Sequence, residues 1–125
     1  WQITATDGTG KKIDFVRRCA AELDLTNLSA EHAHAAHWQS ERKFDVVTLR
    51  AVTKIADAIS MCRPFLSRRG NVVIYKTADL DKEELAAGRA AARQAKLVET
   101  QFPYSLKIGL ETLHRSLMVY ATRTA

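Results

Sequence analysis

The residues best placed to do chemistry in this sequence come directly after its β-prone segments. Asp7 follows the first such segment, Trp1–Thr6, and opens the glycine-containing turn Gly8–Gly10. In open α/β sheets ligands bind outside the carboxyl ends of the strands, where an acidic side chain can accept hydrogen bonds from both ribose hydroxyls of a nucleoside cofactor. A role as a turn or helix N-cap residue explains Asp7 equally well. Position alone leaves both roles open.

The same turn has a partial likeness to a phosphate-binding loop. Its glycines and lysines, Gly8–Lys12, would fit the start of the helix in that motif. The motif also requires Gly at position 5 and Ser or Thr at position 12, and the chain has Ala5 and Lys12 there. The sequence therefore excludes a P-loop nucleoside triphosphatase.

Three histidines, His32, His34 and His37, lie within six residues and suggest a zinc site. The first two would share one face of a strand, but the third falls in the turn that follows. No Asp, Glu or Cys is obviously placed to complete a ligand set. We therefore predict a solvated strand end and no metal site. The chain also lacks a convincing Ser-His-Asp, Cys-His or paired-carboxylate arrangement.

Strands and helices alternate along the chain, and these elements must position the candidate residues. Hydrophobic periodicity predicts strands over Trp1–Thr6, Leu28–His32, Phe44–Leu49, Val72–Tyr75, Leu97–Tyr104 and Leu113–Thr122. It predicts helices over residues 13–23, 53–62 and 79–95, the second closed by the basic turn Ser67–Gly70 and the third opened by Asp79, Asp81, Glu83 and Glu84. This alternation predicts the α/β class. We expect an open, mostly parallel sheet covered on both faces, with the last two strands forming an antiparallel hairpin.

Composition limits the class of protein further. The chain has 125 residues, of which 46% are apolar and 26% charged, as expected for one soluble globular domain with its own core. Cys19 and Cys62 have neither metal-site nor disulfide-framework spacing, so we expect a reduced, cytoplasmic protein. No apolar run is long enough to cross a membrane. The net charge of +5 favours an anionic partner such as nucleic acid, although small soluble domains commonly carry that charge.

Several segments occur together in an order known from one family. They are Asp7 with Gly10–Phe15, then Leu25–Asn27, Phe44–Val52 and Val72–Lys76. From Trp1 to about Thr122 the chain resembles the small-subunit (16S) ribosomal RNA guanine-N7 methyltransferases, also called glucose-inhibited division protein B. The resemblance implies one Rossmann-like methyltransferase domain over residues 1–125, with S-adenosyl-L-methionine as its cofactor. It also implies 16S ribosomal RNA as the partner of a cytoplasmic monomer.

The resemblance further implies roles for individual residues. Asp7 would lie near the cofactor ribose, the backbone at Ala35 and Ala36 along the adenine, and Arg50 in the site facing cofactor and substrate. Lys11 and Lys12, on the exposed start of the first helix, are predicted to contact RNA. The full set of predicted RNA contacts is Lys11, Lys12, Arg50, Lys76 and Arg115.

Structural alternatives exist for two of these residues. Arg50 would otherwise form an ion pair with Asp45 or Asp57, and Lys76 would be a solvated strand end. The chain also departs from the family at Ala33–His37, where the family usually has Gly-Arg-Ala-Glu-Glu, so an Arg and two acids are absent.

Upstream of the first strand seen here, the family has a helical region, a further strand and a glycine-rich loop that this sequence lacks. The missing strand would lie between those at Ile3 and Phe44. We therefore expect a fragment of a longer protein, or one that completes its sheet by swapping. In isolation it would be inactive and would leave those two strand edges unpaired. The alternatives are a methyltransferase of the same fold with another substrate and a non-enzymatic RNA-binding module.

Overall fold

A computed structural model describes residues 1–50 and 53–123 of the chain. Its strands are β1 Ile3–Asp7, β2 Leu28–His32, β3 Phe44–Arg50, β4 Leu66–Thr77, β5 Leu97–Ile108 and β6 Glu111–Thr122. Its α-helices are α1 Gly10–Glu22, α2 Ile55–Cys62 and α3 Lys82–Gln94. By their contacts the residues group into two units, Trp1–Gln39 and Ser40–Ala125. The single domain over residues 1–125 stays a prediction. No helix in the described ranges is long and apolar enough to cross a membrane.

The first unit is a strand, a helix and a second strand parallel to the first. β1 and β2 pair in register from Ile3 with Leu28 to Asp7 with His32. The helix α1 connects the two strands and buries Ile13. The Arg17 guanidinium donates hydrogen bonds from Nε and Nη2 to the carbonyl of Ala30, at 3.2 and 3.0 Å. These bonds attach the middle of α1 to β2.

The second unit contains a four-stranded sheet in the order β3-β4-β6-β5. β3 and β4 are parallel, and β6 is antiparallel to both of its neighbours. The predicted parallel pairing and the C-terminal hairpin are therefore confirmed. Among the described residues β1 pairs only with β2 and β3 only with β4, so each keeps one edge without a strand partner, as expected.

Both helices of the second unit pack on one face of its sheet. That face contributes Val72, Ile74, Met118 and Tyr120 to a core with apolar residues of α2 and α3. Because side chains alternate along a strand, the neighbouring residues point to the opposite face, here called the uncovered face. Six large apolar side chains on this face are 41–60% exposed: Val46, Tyr75, Val98, Phe102, Leu106 and Ile108. Within the described part of this unit, helices therefore cover one face of the sheet.

The fourth strand begins earlier than predicted. Ser67–Gly70, expected to form a turn, lies inside β4, so that prediction is wrong. The pairing of β4 with β3 shifts register between Phe44 and Val46, which accommodates this irregular start. A Cβ atom at Gly70 would lie 3.0 Å from the Phe44 carbonyl oxygen, so a close backbone approach favours glycine there.

The third helix begins later than the acidic segment suggests. Asp79 lies outside the helix, and Asp81 is its N-cap. The Asp81 carboxylate accepts a hydrogen bond from the Glu84 amide at 3.2 Å, which satisfies one of the free amides of the first turn. The acids thus cap α3 and favour its dipole, as predicted, from slightly different positions.

α3 packs closely against α2 at Gly88, which is buried. A Cβ atom there would lie 2.6 Å from Cγ2 of Ile55. Gly88→Ala should therefore lower the free energy of unfolding by about 1–3 kcal/mol, because overpacking outweighs the helix propensity of Ala. Urea denaturation measures this change. Gly10→Ala is the control, because its Cβ would meet the His32 ring at an ordinary 3.5 Å. A stabilised Gly88→Ala variant would contradict this packing.

Candidate active site

Asp7 ends β1, and its carboxylate is part of the turn that follows. Its Oδ1 accepts a hydrogen bond from the Thr9 amide at 2.7 Å. This bond holds the pKa of Asp7 below its ordinary value, against the opposing effect of desolvation and with help from the charge of Lys12. The carboxylate is therefore ionised at neutral pH. The structure shows the turn role, and the same charged group remains available to a ligand.

A cavity of about 420 Å³ lies next to this carboxylate, wholly within the first unit. Its volume falls in the range of small-molecule sites. Most of its lining is apolar, and the charged groups are one carboxylate and two ammonium groups. The lining residues are Ala5, Thr6, Asp7, Lys11, Lys12, Ile13, Phe15 and Val16. An apolar cavity with an ionised carboxylate at a strand end suits a nucleoside, whose base is flat and whose ribose hydroxyls are donors.

The segment predicted to lie along the adenine returns to the end of β1. The Ala33 amide donates a hydrogen bond to the Asp7 carbonyl at 3.0 Å. The Ala36 amide donates to Nδ1 of His34 at 3.2 Å, so a local contact already occupies this N–H group. A ligand that used the Ala36 amide would therefore have to displace the His34 ring. The adenine contacts of Ala35 and Ala36 stay predictions.

The histidines make contacts with one another and with the backbone. Nε2 of His32 lies 2.9 Å from the Gly8 carbonyl oxygen, within hydrogen-bond distance. The rings of His34 and His37 are tilted, with centroids 5.5 Å apart. Among the described residues no group of three His, Cys, Asp or Glu side chains is arranged to hold a metal ion.

Cys62 has no role at the site. It is buried in the core of the second unit, and burial raises the pKa of its thiol to about 11. The thiol is therefore protonated at neutral pH and is a poor nucleophile.

Arg50 ends β3 on the uncovered face and is exposed. Within the described residues it forms no ion pair with Asp45 or Asp57, so the structural alternative for Arg50 is not observed. Asp45 instead accepts a hydrogen bond from the Ser67 hydroxyl at 2.7 Å. The Arg50 guanidinium is thus available to an anionic or polar ligand.

Arg115 lies on the same face of the sheet as Arg50. Arg50 pairs in register with Tyr75, and Thr77, two residues further along β4, pairs with Arg115 on β6. Because alternate residues share a face, the two arginines occupy neighbouring cross-strand rows. Tyr75 lies between the two arginines on this face, but the sequence analysis did not name it as a site residue. Its position next to the buried Ile74 was the available signal, because neighbouring residues of a strand point to opposite faces.

Lys76 points to the opposite face and is not a solvated strand end, so that alternative is wrong. Its Nζ lies 2.6 Å from Oε1 of Glu84 and donates to the Thr53 carbonyl at 3.1 Å. The same Glu84 oxygen accepts a hydrogen bond from the Ile55 amide, at the start of α2, at 3.1 Å. The Lys76 and Glu84 side chains are only 20% and 15% exposed. This cluster argues against the RNA contact that remains predicted for Lys76.

Lys76→Met should lower the free energy of unfolding by about 2 kcal/mol, because the mostly buried Glu84 carboxylate would lose its countercharge. Chemical denaturation measures the loss. Lys82→Met is the matched control, since Lys82 is exposed at the start of α3, and it should change stability little. Equal stability of the two variants would mean that the ion pair contributes nothing.

A family model described as rRNA small subunit methyltransferase G matches residues 1–114. The chain belongs to this family. It is 33% identical over 110 residues to the ribosomal RNA small subunit methyltransferase G of Thermotoga sp. (strain RQ2), covering 86% of this chain and 48% of that protein. It is 34% identical over 114 residues to the protein of the same name from Deinococcus radiodurans, covering 86% and 44%. The chain thus spans about half the length of the curated relatives it matches.

Solved methyltransferase structures have the same fold. A precorrin-6y C5,15-methyltransferase from Geobacter metallireducens aligns with a TM-score of 0.75 at 12% identity, over 98% of this chain and 68% of that one. A methyltransferase from Pyrococcus furiosus aligns with a TM-score of 0.73 at 14% identity, over 98% and 64%. The predicted Rossmann-like methyltransferase fold is therefore confirmed.

Within this rRNA small subunit methyltransferase G family member, the predicted residues fall into three places. Asp7 and the segment after β2 come together in the first unit. Arg50 and Arg115 share the uncovered face of the second unit. Lys76 is on the other side of that sheet, in an ion pair.

Proposed function

We propose that the protein is an S-adenosylmethionine-dependent methyltransferase that modifies guanine N7 of 16S ribosomal RNA. The observation that carries the proposal is an ionised Asp7 carboxylate at a strand end, beside a cavity, within the segment that matches the family. Two free cysteines, Cys19 and Cys62, fit action in the reducing cytoplasm. We propose a monomer as the active form.

The first unit supplies the groups that would hold the cofactor. When bound, S-adenosylmethionine supplies the methyl group. The Asp7 carboxylate accepts hydrogen bonds from the ribose hydroxyls, and apolar cavity residues such as Ile13 and Phe15 exclude water around it. The backbone at Ala35 and Ala36 lies along the adenine in this proposal.

The second unit supplies groups for the RNA. The lone pair of guanine N7 lies in the plane of the ring and needs no deprotonation before methylation, so no general base is required. The chain's contribution is then to position the purine, an effect that can lower the barrier by several kcal/mol. Arg50, exposed at the end of β3, orients the guanine, and Arg115 binds RNA on the same face. Lys11 and Lys12 add RNA contacts from the start of α1.

The proposal is tested in cells that lack the protein. N7-methylguanosine is cleaved selectively by borohydride and aniline, so its loss from 16S ribosomal RNA is visible by primer extension. We expect one cleavage site to disappear, to return with the wild-type gene, and to stay absent with Asp7→Ala. An unchanged cleavage pattern in the deletion strain would contradict the proposed substrate, and full rescue by Asp7→Ala would contradict the cofactor site.

A further inference from the structure

The excess of positive over negative charge is confined to the second unit of the chain. Residues 1–39 carry four Lys or Arg against five Asp or Glu, whereas residues 40–125 carry fifteen against nine. The second unit therefore has a net charge of +6 and the first unit a net charge of −1. If the positive charge served solubility alone, we would expect it to be spread over both units.

Within the second unit the charge gathers at one end of the sheet. There the amino ends of β3, β4 and β5 meet the carboxyl ends of α2, α3 and β6. Phe44 pairs with Leu66 and Leu97 with Thr122 in register. Six exposed cations occupy these ends, here called the basic end: Lys43, Arg63, Arg68, Arg69, Lys96 and Arg123.

Side-chain contacts confirm that these chain segments adjoin one another. Nε of Arg63 donates a hydrogen bond to the Ala95 carbonyl at 3.1 Å, joining the end of α2 to the end of α3. Nζ of Lys43 donates to the Pro64 carbonyl, joining the start of β3 to the start of β4. The basic end is therefore one continuous region.

The opposite end of the same sheet is balanced in charge. Arg50 and residues 53–57, 76–84 and 104–115 together carry six Lys or Arg against six Asp or Glu. One of those cations, Lys76, is already paired with Glu84. Long-range attraction for an anion is thus stronger at the basic end than at the end that holds Arg50.

The cations of the basic end have no acidic partners. Among the described residues none of the six forms a salt bridge. Cations after the ends of α2 and α3, such as Arg63 and Lys96, favour the helix dipoles. That explanation does not extend to Arg68, Arg69 and Arg123, which lie in or directly after strands. Four of the six are arginines, whose planar guanidinium can bind two phosphate oxygens at once.

We propose that the basic end binds the phosphate backbone of RNA, in a contact separate from the one at Arg50. The proposal rests on the proposed function, which provides the RNA. β3 separates the two contacts, and its seven residues span about 20 Å. An RNA that touches both contacts must therefore extend along the sheet. A folded RNA helix is long enough to do so, whereas a single flipped nucleotide is not. Phosphate contacts of this kind fix the orientation of the RNA without reading its sequence.

The test measures binding of the full chain to a fluorescein-labelled RNA hairpin by anisotropy, over a range of salt concentrations. Arg68→Gln with Arg69→Gln should weaken binding roughly tenfold and make the slope of log K against log salt shallower by about 2. Lys82→Gln with Lys107→Gln is the control, because it removes the same charge from exposed sites elsewhere on the second unit. It should change affinity by at most about twofold. Circular dichroism verifies that both variants are folded.

The outcomes separate this proposal from the proposed function. Equal weakening by both double variants would mean that net charge alone acts and would overturn the basic end as a site. Unchanged binding by Arg68→Gln with Arg69→Gln would overturn it as well, while leaving an RNA substrate intact. Failure of the wild-type chain to bind the hairpin would contradict the proposed RNA substrate itself. Binding to phosphatidylserine vesicles, lost with the two arginines and unaccompanied by RNA binding, would assign the basic end to a membrane surface.

Discussion

In the full-length protein, Arg50→Ala should lower the single-turnover rate of 16S ribosomal RNA methylation roughly a hundredfold at saturating cofactor and RNA. Arg50 is exposed at the carboxyl end of β3, and within the described residues it makes no ion pair. Its removal therefore takes away a group that positions the purine, without leaving a buried charge unpaired. Rapid-quench measurements on the holoenzyme give the rate.

Lys54→Ala is the matched control for that prediction. Lys54 is an exposed cation four positions further along the chain, at the N-cap of α2, and its side chain makes no capping hydrogen bond. This variant should keep nearly the wild-type saturated rate. If Arg50→Ala lowered only the melting temperature and kept the wild-type rate, Arg50 would be a structural residue and its assignment to the site would be wrong.

In the full-length protein without bound cofactor, Asp7→Ala should weaken binding of S-adenosylhomocysteine roughly tenfold to a hundredfold, because the ribose hydroxyls lose a charged acceptor. Asp7→Asn separates the two roles of this residue. Its amide oxygen can still accept the Thr9 amide and keep the turn, but its charge is gone. Calorimetry should therefore show a loss of affinity for both variants, and the affinity for RNA should barely change. Wild-type affinity in both would leave Asp7 with its turn role alone.

The lowered pKa of Asp7 sets the pH range over which this carboxylate acts. A depressed folded-state pKa means that the stabilisation from the Thr9 hydrogen bond is complete above the unfolded value of 3.8. It is lost only as the pH falls through the lower folded value. The Asp7 contribution to cofactor binding should therefore be constant across the neutral range.

Much of the fold was predictable because the hydrophobic periodicity of the sequence matches the faces that its strands and helices bury. β3 reads Phe-Asp-Val-Val-Thr-Leu-Arg, and its position was predicted to within one residue. β4 was predicted too short, because Ser67–Gly70 has the composition of a turn. The segment lies between two pairs with β3, Phe44 with Leu66 and Val46 with Asn71, and this pairing of residues distant in the chain keeps it extended. The insertion of β6 between β4 and β5 is likewise set by contacts between distant residues, which hydrophobic periodicity does not report.

The contrast between local patterns and contacts of distant residues also explains which site residues could be predicted. Asp7 and Arg50 were found because strands predict where their own carboxyl ends lie. The ion pair of Lys76 with Glu84 joins a strand to a different helix, and no spacing in the sequence indicates it. The basic end was missed for a related reason, since its cations are dispersed from Lys43 to Arg123 and meet only in the folded sheet.

The uncovered face of the second unit affects how stability depends on temperature. Val46, Phe102 and Ile108 are already 52–60% exposed in the folded chain. Unfolding therefore transfers less new apolar surface to water than is usual, and the heat capacity of unfolding should fall below the typical value of roughly 12–15 cal/mol/K per residue. A small heat capacity change flattens the curve of unfolding free energy against temperature. The stability of this chain should consequently change little between cold and warm conditions.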